Sequence, residues 1–211
     1  MRKICIVDYG LNNLSSVKNA CLKFDIDAKI IENYNDIANS DVVILPGVGS
    51  FPEAIRNLKE KNFFEPILEF INNKNKIFIG ICLGMQMLFE SSNEFGFQEG
   101  FKFFNGKIKR FSTFNTKKIP HIGWRNINIK KTSKLTKNFN IDDNFYFVHS
   151  YFAEITKTNS EFVLSTSNYY DENFISSIEK DNVYGFQFHP EKSGVSGMKF
   201  YKNLYKIISN V

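Results

Sequence analysis

The sequence predicts an α/β fold: a central, mainly parallel sheet flanked by helices, with an antiparallel extension in the second half. In the first half, short aliphatic runs alternate with stretches whose apolar residues recur at helical spacing, the pattern of strand–helix–strand units. In the second half, strand-like runs follow one another until a closing amphipathic stretch. The 211 residues, 43% hydrophobic and 23% charged, suit one globular domain over 1–211 with a sizeable core. Phenylalanine, at 23 residues, is expected to fill much of that core.

Lys3–Val7 is the first expected strand, ending at Asp8-Tyr9-Gly10. Leu14, Val17, Cys21 and Phe24 then form one helical stripe, so Cys5 and Cys21 are read as packing. Ala28–Ile31 and Asp41–Leu45 are the next strands, the latter running into Pro46-Gly47-Val48-Gly49-Ser50. Ser50 and Glu53 fit a capping box for a helix carrying Ala54, Ile55 and Leu58. A helix over about 64–73 leads to the strand Ile77–Ile81. Beyond it, Asn105-Gly106 signals a hairpin turn within Phe101–Phe111. Phe145–Val148, Glu161–Ser167, Phe174–Glu179 and Val183–Phe188 read as strands. Met198, Tyr201, Leu204, Tyr205 and Ile208 mark the closing helix. Ligands of mainly parallel sheets bind at the carboxyl ends of the strands, where both Pro46–Ser50 and Cys82 fall.

Cys82 stands between strand and helix, flanked by Gly80 and Gly84. This is the layout of a nucleophile elbow with cysteine in place of serine. The glycines permit a sharp turn and close packing. The following helix, expected from the spacing of Leu83, Met87 and Leu88, would aim its free N–H groups and positive end at the sulfur. Both effects favour the thiolate, the nucleophilic form. The competing reading is a buried cysteine acting as a small hydrophobe.

A cysteine nucleophile needs a base, and the base an orienter. The chain has three histidines, His121, His149 and His189. His189 lies at a strand end, because Pro190 cannot continue the ladder. Glu191, two residues on, falls on the same side of an extended backbone and could hold the imidazole. A surface His-Pro-Glu turn is the alternative.

Composition excludes several classes. The net charge of +5 is modest and its lysines are dispersed, with small clusters at Lys117-Lys118 and Lys130-Lys131. No nucleic-acid partner is expected. Three cysteines form no disulfide framework and suit a cytoplasmic location. Asp8 cuts the N-terminal apolar run too short for a signal peptide, and no run approaches the roughly 18 apolar residues of a membrane span. No metal-ligand cluster or phosphate loop is present, so no cofactor is expected.

Gly80-Ile81-Cys82-Leu83-Gly84-Met85-Gln86 together with His189-Pro190-Glu191 resembles the class I glutamine amidotransferases. Within them the chain is most similar to the glutaminase subunits of imidazole glycerol phosphate synthase. Asp8-Tyr9-Gly10, Pro46-Gly47-Val48-Gly49, Pro120-His121-Ile122-Gly123-Trp124, Phe147-Val148-His149-Ser150-Tyr151 and the run from Gln187 to Gly194 extend that likeness nearly end to end. Met85 contributes, since many relatives from other pathways carry histidine there.

The resemblance implies a flavodoxin-like glutaminase fold in which Cys82 attacks the side-chain amide of glutamine. It implies His189 as the proton carrier and Glu191 as its orienter. Leu83 and Val48 would supply oxyanion N–H groups, while Gly49, Gln86, Ser150 and Tyr151 would bind substrate. A thioester would form and hydrolyse to glutamate. The ammonia would pass to a separate (β/α)₈-barrel cyclase, giving a heterodimer that makes imidazole glycerol phosphate in histidine biosynthesis. Pro120–Trp124 is the candidate partner contact; Trp124 in the core and His121 as a satisfied turn histidine is the competing reading.

Two departures stand out. Asn12 replaces a usual glycine, a change that a left-handed turn tolerates. Arg125 replaces a usual asparagine in the partner region. It favours, as an alternative, a paralogous glutaminase serving another synthase, such as one building an amidino-modified surface sugar. A cysteine peptidase-like hydrolase is the more distant alternative.

Overall fold

Strand β4 runs through the middle of an eight-stranded sheet and ends on Cys82. The computed structural model describes residues 2–11, 13–112 and 118–209; Asn12 and Lys117 lie outside them. In chain order the elements are β1 (Ile4–Val7), α1 (Leu14–Leu22), β2 (Ala28–Ile31), α2 (Asn35–Ala38), β3 (Val42–Gly47), α3 (Phe51–Glu60), α4 (Phe64–Ile71), β4 (Ile77–Cys82) and α5 (Leu83–Gln86). Then come β5 (Phe89–Ser92), β6 (Gln98–Glu99), β7 (Phe104–Arg110), β8 (His121–Asn126), β9 (Asn128–Ile129), β10 (Asn144–His149) and β11 (Tyr151–Ala153). The chain closes with β12 (Val163–Tyr169), β13 (Glu172–Lys180), β14 (Val183–Phe186) and α6 (Gly194–Ser209).

The sheet order is β2-β1-β3-β4-β14-β13-β12-β9. Pairing is parallel from β2 to β14 and antiparallel beyond, as the sequence predicts. Side chains of successive strand residues point to opposite faces. Cys5, Val7, Val43 and Leu45 therefore meet α3, α4 and α5 on one face, while Ile4, Ile6, Val42 and Ile44 meet α1 and α6 on the other. Two further sheets, β10-β8 and β11-β7-β5-β6, stand beside the main one.

Register brings the carboxyl ends of three parallel strands together. Gly47 of β3 lies opposite Cys82, and Phe186 of β14 lies opposite Ile81. Gly80 and Gly84 are needed there. A Cβ on Gly80 would meet the Gly84 carbonyl oxygen at 2.6 Å, and one on Gly84 would meet the Leu45 carbonyl oxygen at 1.8 Å.

Several local expectations fail for physical reasons. The helix after Cys82 is only four residues long, because the chain turns at Met87-Leu88 into β5. An aligned macrodipole needs more turns than that. Asn105-Gly106 is not a hairpin turn but lies inside β7, where the β5–β7 register shifts. Gly106, at φ +110°, leaves there the space that Asn159 fills. The Ser50–Glu53 capping box does not form; the N–H of Phe51, at the start of α3, donates to the Glu94 carboxylate at 2.8 Å. β14 stops at Phe186, before the expected Phe188.

Candidate active site

Cys82 carries the strain expected of an elbow, with φ +54° and ψ −107° in a non-glycine residue. Strand β4 delivers it and α5 starts at the next residue. As the first helical residue, Leu83 has an N–H with no place in the helical ladder.

The sulfur stands at a cavity of about 220 Å³. Val48, Gly49, Leu83, Gln86, Ser150 and Tyr151, all predicted site residues, share its wall with Cys82. That volume is below the range of drug-sized sites and suits a small molecule. Pro120 and Glu94 also line it.

His189 reaches Cys82 from the segment after β14. Its Nδ1 meets Glu191 Oε1 at 2.7 Å, and both side chains are almost fully buried. Pro190–Lys192 forms a single 3₁₀ turn that folds Glu191 back onto the ring. Burial works against a charged imidazole, but the Cys82 sulfur and the Glu191 carboxylate outweigh it and push His189 up to about 10. The buried Nε2 is coupled to that sulfur and stops short of a well-formed hydrogen bond with it. Catalytic hydrogen bonds often tighten only with substrate bound.

The Val48 N–H is committed elsewhere, donating to the Leu11 carbonyl at 3.1 Å. The adjoining Gly49 has φ +97°.

A family model described as glutamine amidotransferase class-I matches residues 5–207. The chain belongs to the class-I glutamine amidotransferase family. It is 44% identical over 205 residues to "Imidazole glycerol phosphate synthase subunit HisH" of Caldanaerobacter subterraneus subsp. tengcongensis, covering 97% of this chain and 98% of that protein. It is 40% identical to subunit HisH 1 of Campylobacter jejuni, covering 97% and 100%. The fold is also similar to a solved structure described as PurLQS from Thermotoga maritima, with TM-score 0.69 at 18% identity, covering 100% of this chain and 99% of that one.

Two residues of this amidotransferase site have no role that the sequence alone suggests. Gln187 opens the run that ends at Gly194, and its Nε2 proves to be 3.5 Å from Cys82 Sγ. Glu94 gives no local signal, since its place in the cavity wall depends on a contact with α3, forty-three residues away. Burial raises the Glu94 carboxyl, with the Phe51 N–H and Arg110 opposing. Of the suspected partner segment, His121 is buried in β8, whereas Ile122 and Trp124 are 59% and 55% exposed, so Trp124 is not core. Among the described residues, no group of three or more His, Cys, Asp or Glu is placed to hold a metal ion, and no helix is long and apolar enough to cross a membrane.

Proposed function

We propose that this amidotransferase is one glutaminase domain, hydrolysing L-glutamine through Cys82, His189 and Glu191. What carries the reading is the buried His189, held by Glu191 at 2.7 Å, beside a Cys82 that lines a small cavity. His189 already holds the proton taken from the Cys82 thiol, and the sulfur paired with it bonds the amide carbon. The tetrahedral intermediate then collapses to a thioester, the C–N bond breaks, and His189 hands its proton to the departing ammonia. Water attacks the thioester, releasing glutamate and restoring the thiol. Glu191 fixes the imidazole and offsets its charge.

The oxyanion would be held by the N–H of Leu83 and, once it leaves Leu11, that of Val48. Ser150 and Tyr151 would hold the amino-acid end, with Gly49 and Gln86 as further substrate contacts. Glu94, an acid in the cavity wall, suits the α-ammonium group.

Ammonia released into water is protonated and lost. The HisH relatives are named as synthase subunits, which supports delivery to a separate cyclase partner, a (β/α)₈ barrel, for imidazole glycerol phosphate and histidine biosynthesis. The exposed Ile122 and Trp124, beside cavity-lining Pro120, suit that contact. Three free, buried cysteines suit a cytoplasmic enzyme.

The test is glutamine hydrolysis by this chain alone, then with the cyclase of the same organism and its ribulosyl nucleotide. A large rise with both present is expected. No rise from a folded chain would reject that cyclase and point to a different synthase.

A further inference from the structure

The buried polar chain that ends on Cys82 has a direction, fixed by one atom that cannot change its role. The carbonyl oxygen of Tyr151 only accepts. It is met by His149 Nδ1 at 2.8 Å and by Gln86 Nε2 at 2.8 Å. His149 must therefore carry its proton on Nδ1. Its Nε2, in a neutral ring, accepts, so His121 Nδ1 at 3.1 Å is the donor. This leaves His121 Nε2 as a lone pair, and that atom is indeed buried without a hydrogen-bond partner. Burial keeps both rings neutral, bringing His121 down to about 4 and His149 to about 3.

The other branch leads to the nucleophile. Gln86 presents its amide nitrogen to Tyr151, and the same nitrogen lies 3.0 Å from Gln187 Oε1. A flipped Gln187 would set nitrogen against nitrogen. Gln187 must therefore give its oxygen to Gln86 and its nitrogen to Cys82 Sγ, 3.5 Å away. The only carbonyl placed to take a thiol proton, among the described residues, is that of Val148, at 4.0 Å.

We infer that Gln187 is a positioning residue for Cys82, an N–H donor held at the sulfur by a hydrogen-bonded chain whose polarity starts at the Tyr151 carbonyl. The inference rests on Cys82 being the nucleophile. Gln187 is fully buried and does not line the cavity, so substrate cannot take its place. The donor supports the sulfur whenever it carries charge, before attack and again as the leaving group of thioester hydrolysis.

The test is alkylation of Cys82 by iodoacetamide, which needs no glutamine site, beside steady-state hydrolysis. Gln187→Met keeps the bulk and removes the donor. Expected are about tenfold slower alkylation and a kcat lower by about tenfold or more, the scale of a hydrogen bond to a charged group, with KM within about twofold. Gln187→Glu, which sets an acceptor against the sulfur, should alkylate more slowly still. Should these variants not fold, Gln86→Met leaves Gln187 in place but cuts its anchor, and slower alkylation is again expected. Wild-type alkylation in every folded variant overturns the inference. Cys82→Ala separates the two readings: hydrolysis surviving that change would sink the nucleophile itself, whatever Gln187 does.

Discussion

The backbone N–H of Val48 donates to the carbonyl of Leu11 at 3.1 Å, so one of the two donors proposed for the oxyanion is spoken for. Losing one such donor costs about 10²–10³ in kcat. Hydrolysis by the isolated chain should be slow by that order, and an event that turns the Val48 peptide should restore it. Gly49, at φ +97°, has the conformational freedom that such a turn would need. Gly49→Ala meets nothing closer than Leu11 at 3.9 Å, so its penalty is conformational, about 1–2 kcal/mol. The expected result is a folded variant whose partner-stimulated kcat falls at least about tenfold; full stimulation would argue against the turn.

Glu191→Gln keeps the shape of the proposed triad and removes the charge that supports the imidazolium. A drop in kcat of about 10²–10⁴ with little change in KM is expected, as for other triads that lose their carboxylate. Stopped-assay kinetics on the folded variant decide it.

Gly84→Ala should be among the most damaging small substitutions in the chain. Its Cβ would stand 1.8 Å from the Leu45 carbonyl oxygen, a rigid part of β3. Overpacking of this kind costs about 1–3 kcal/mol or more. A denaturant midpoint equal to wild type would show that α5 can slide away freely.

The observed contact of Glu94 with Phe51 and its proposed role toward substrate separate by measurement. Glu94→Gln should lose about 1 kcal/mol at most from the start of α3, where a side-chain cap is worth that much. It should raise KM for glutamine about tenfold if the carboxylate takes the ammonium group, the scale of a charge-assisted hydrogen bond. An unchanged KM would confine Glu94 to its structural contact with Phe51.

The His121–His149 pair makes stability depend on pH. Both rings are held below their ordinary value by burial, to about 4 and about 3. Between these values and about 6.5 the unfolded chain binds more protons, so stability rises with pH there. It is complete above about pH 6.5 and is lost on acidification, by about 2 kcal/mol per histidine at pH 5. Thermal melts of wild type and His121→Asn between pH 7 and 5 should diverge, the variant falling less. Parallel curves would show that His121 is charged in the folded protein.

Much of the architecture was legible because it is written locally. The aliphatic run before Cys82, the flanking glycines and His189-Pro190-Glu191 each sit within a few residues, and β2 is found at its predicted bounds. The misreadings share a cause in tertiary contacts. Asn105-Gly106 has the composition of a turn, yet the partner that uses its freedom is Asn159, far along the chain. Ser50 and Glu53 have the spacing of a cap, but Glu94 supplies the acceptor instead. Leu83, Met87 and Leu88 keep helical spacing while the chain bends into β5, since both helix and bend bury them.

The strand that brings Gln187 and His189 to Cys82 is the last along the described residues, yet it lies inside the sheet, between β4 and β13. Cys82 leaves the ribosome 105 residues before Gln187. Until β14 slots in, β4 is an open edge and Cys82 lacks its proposed base. Pairings so distant in sequence are the slow ones in folding. On the proposed roles, the complete site forms only with the closing step of sheet assembly: a nascent chain stalled before that step is expected to hydrolyse no glutamine, and completion of the fold acts as its own licence.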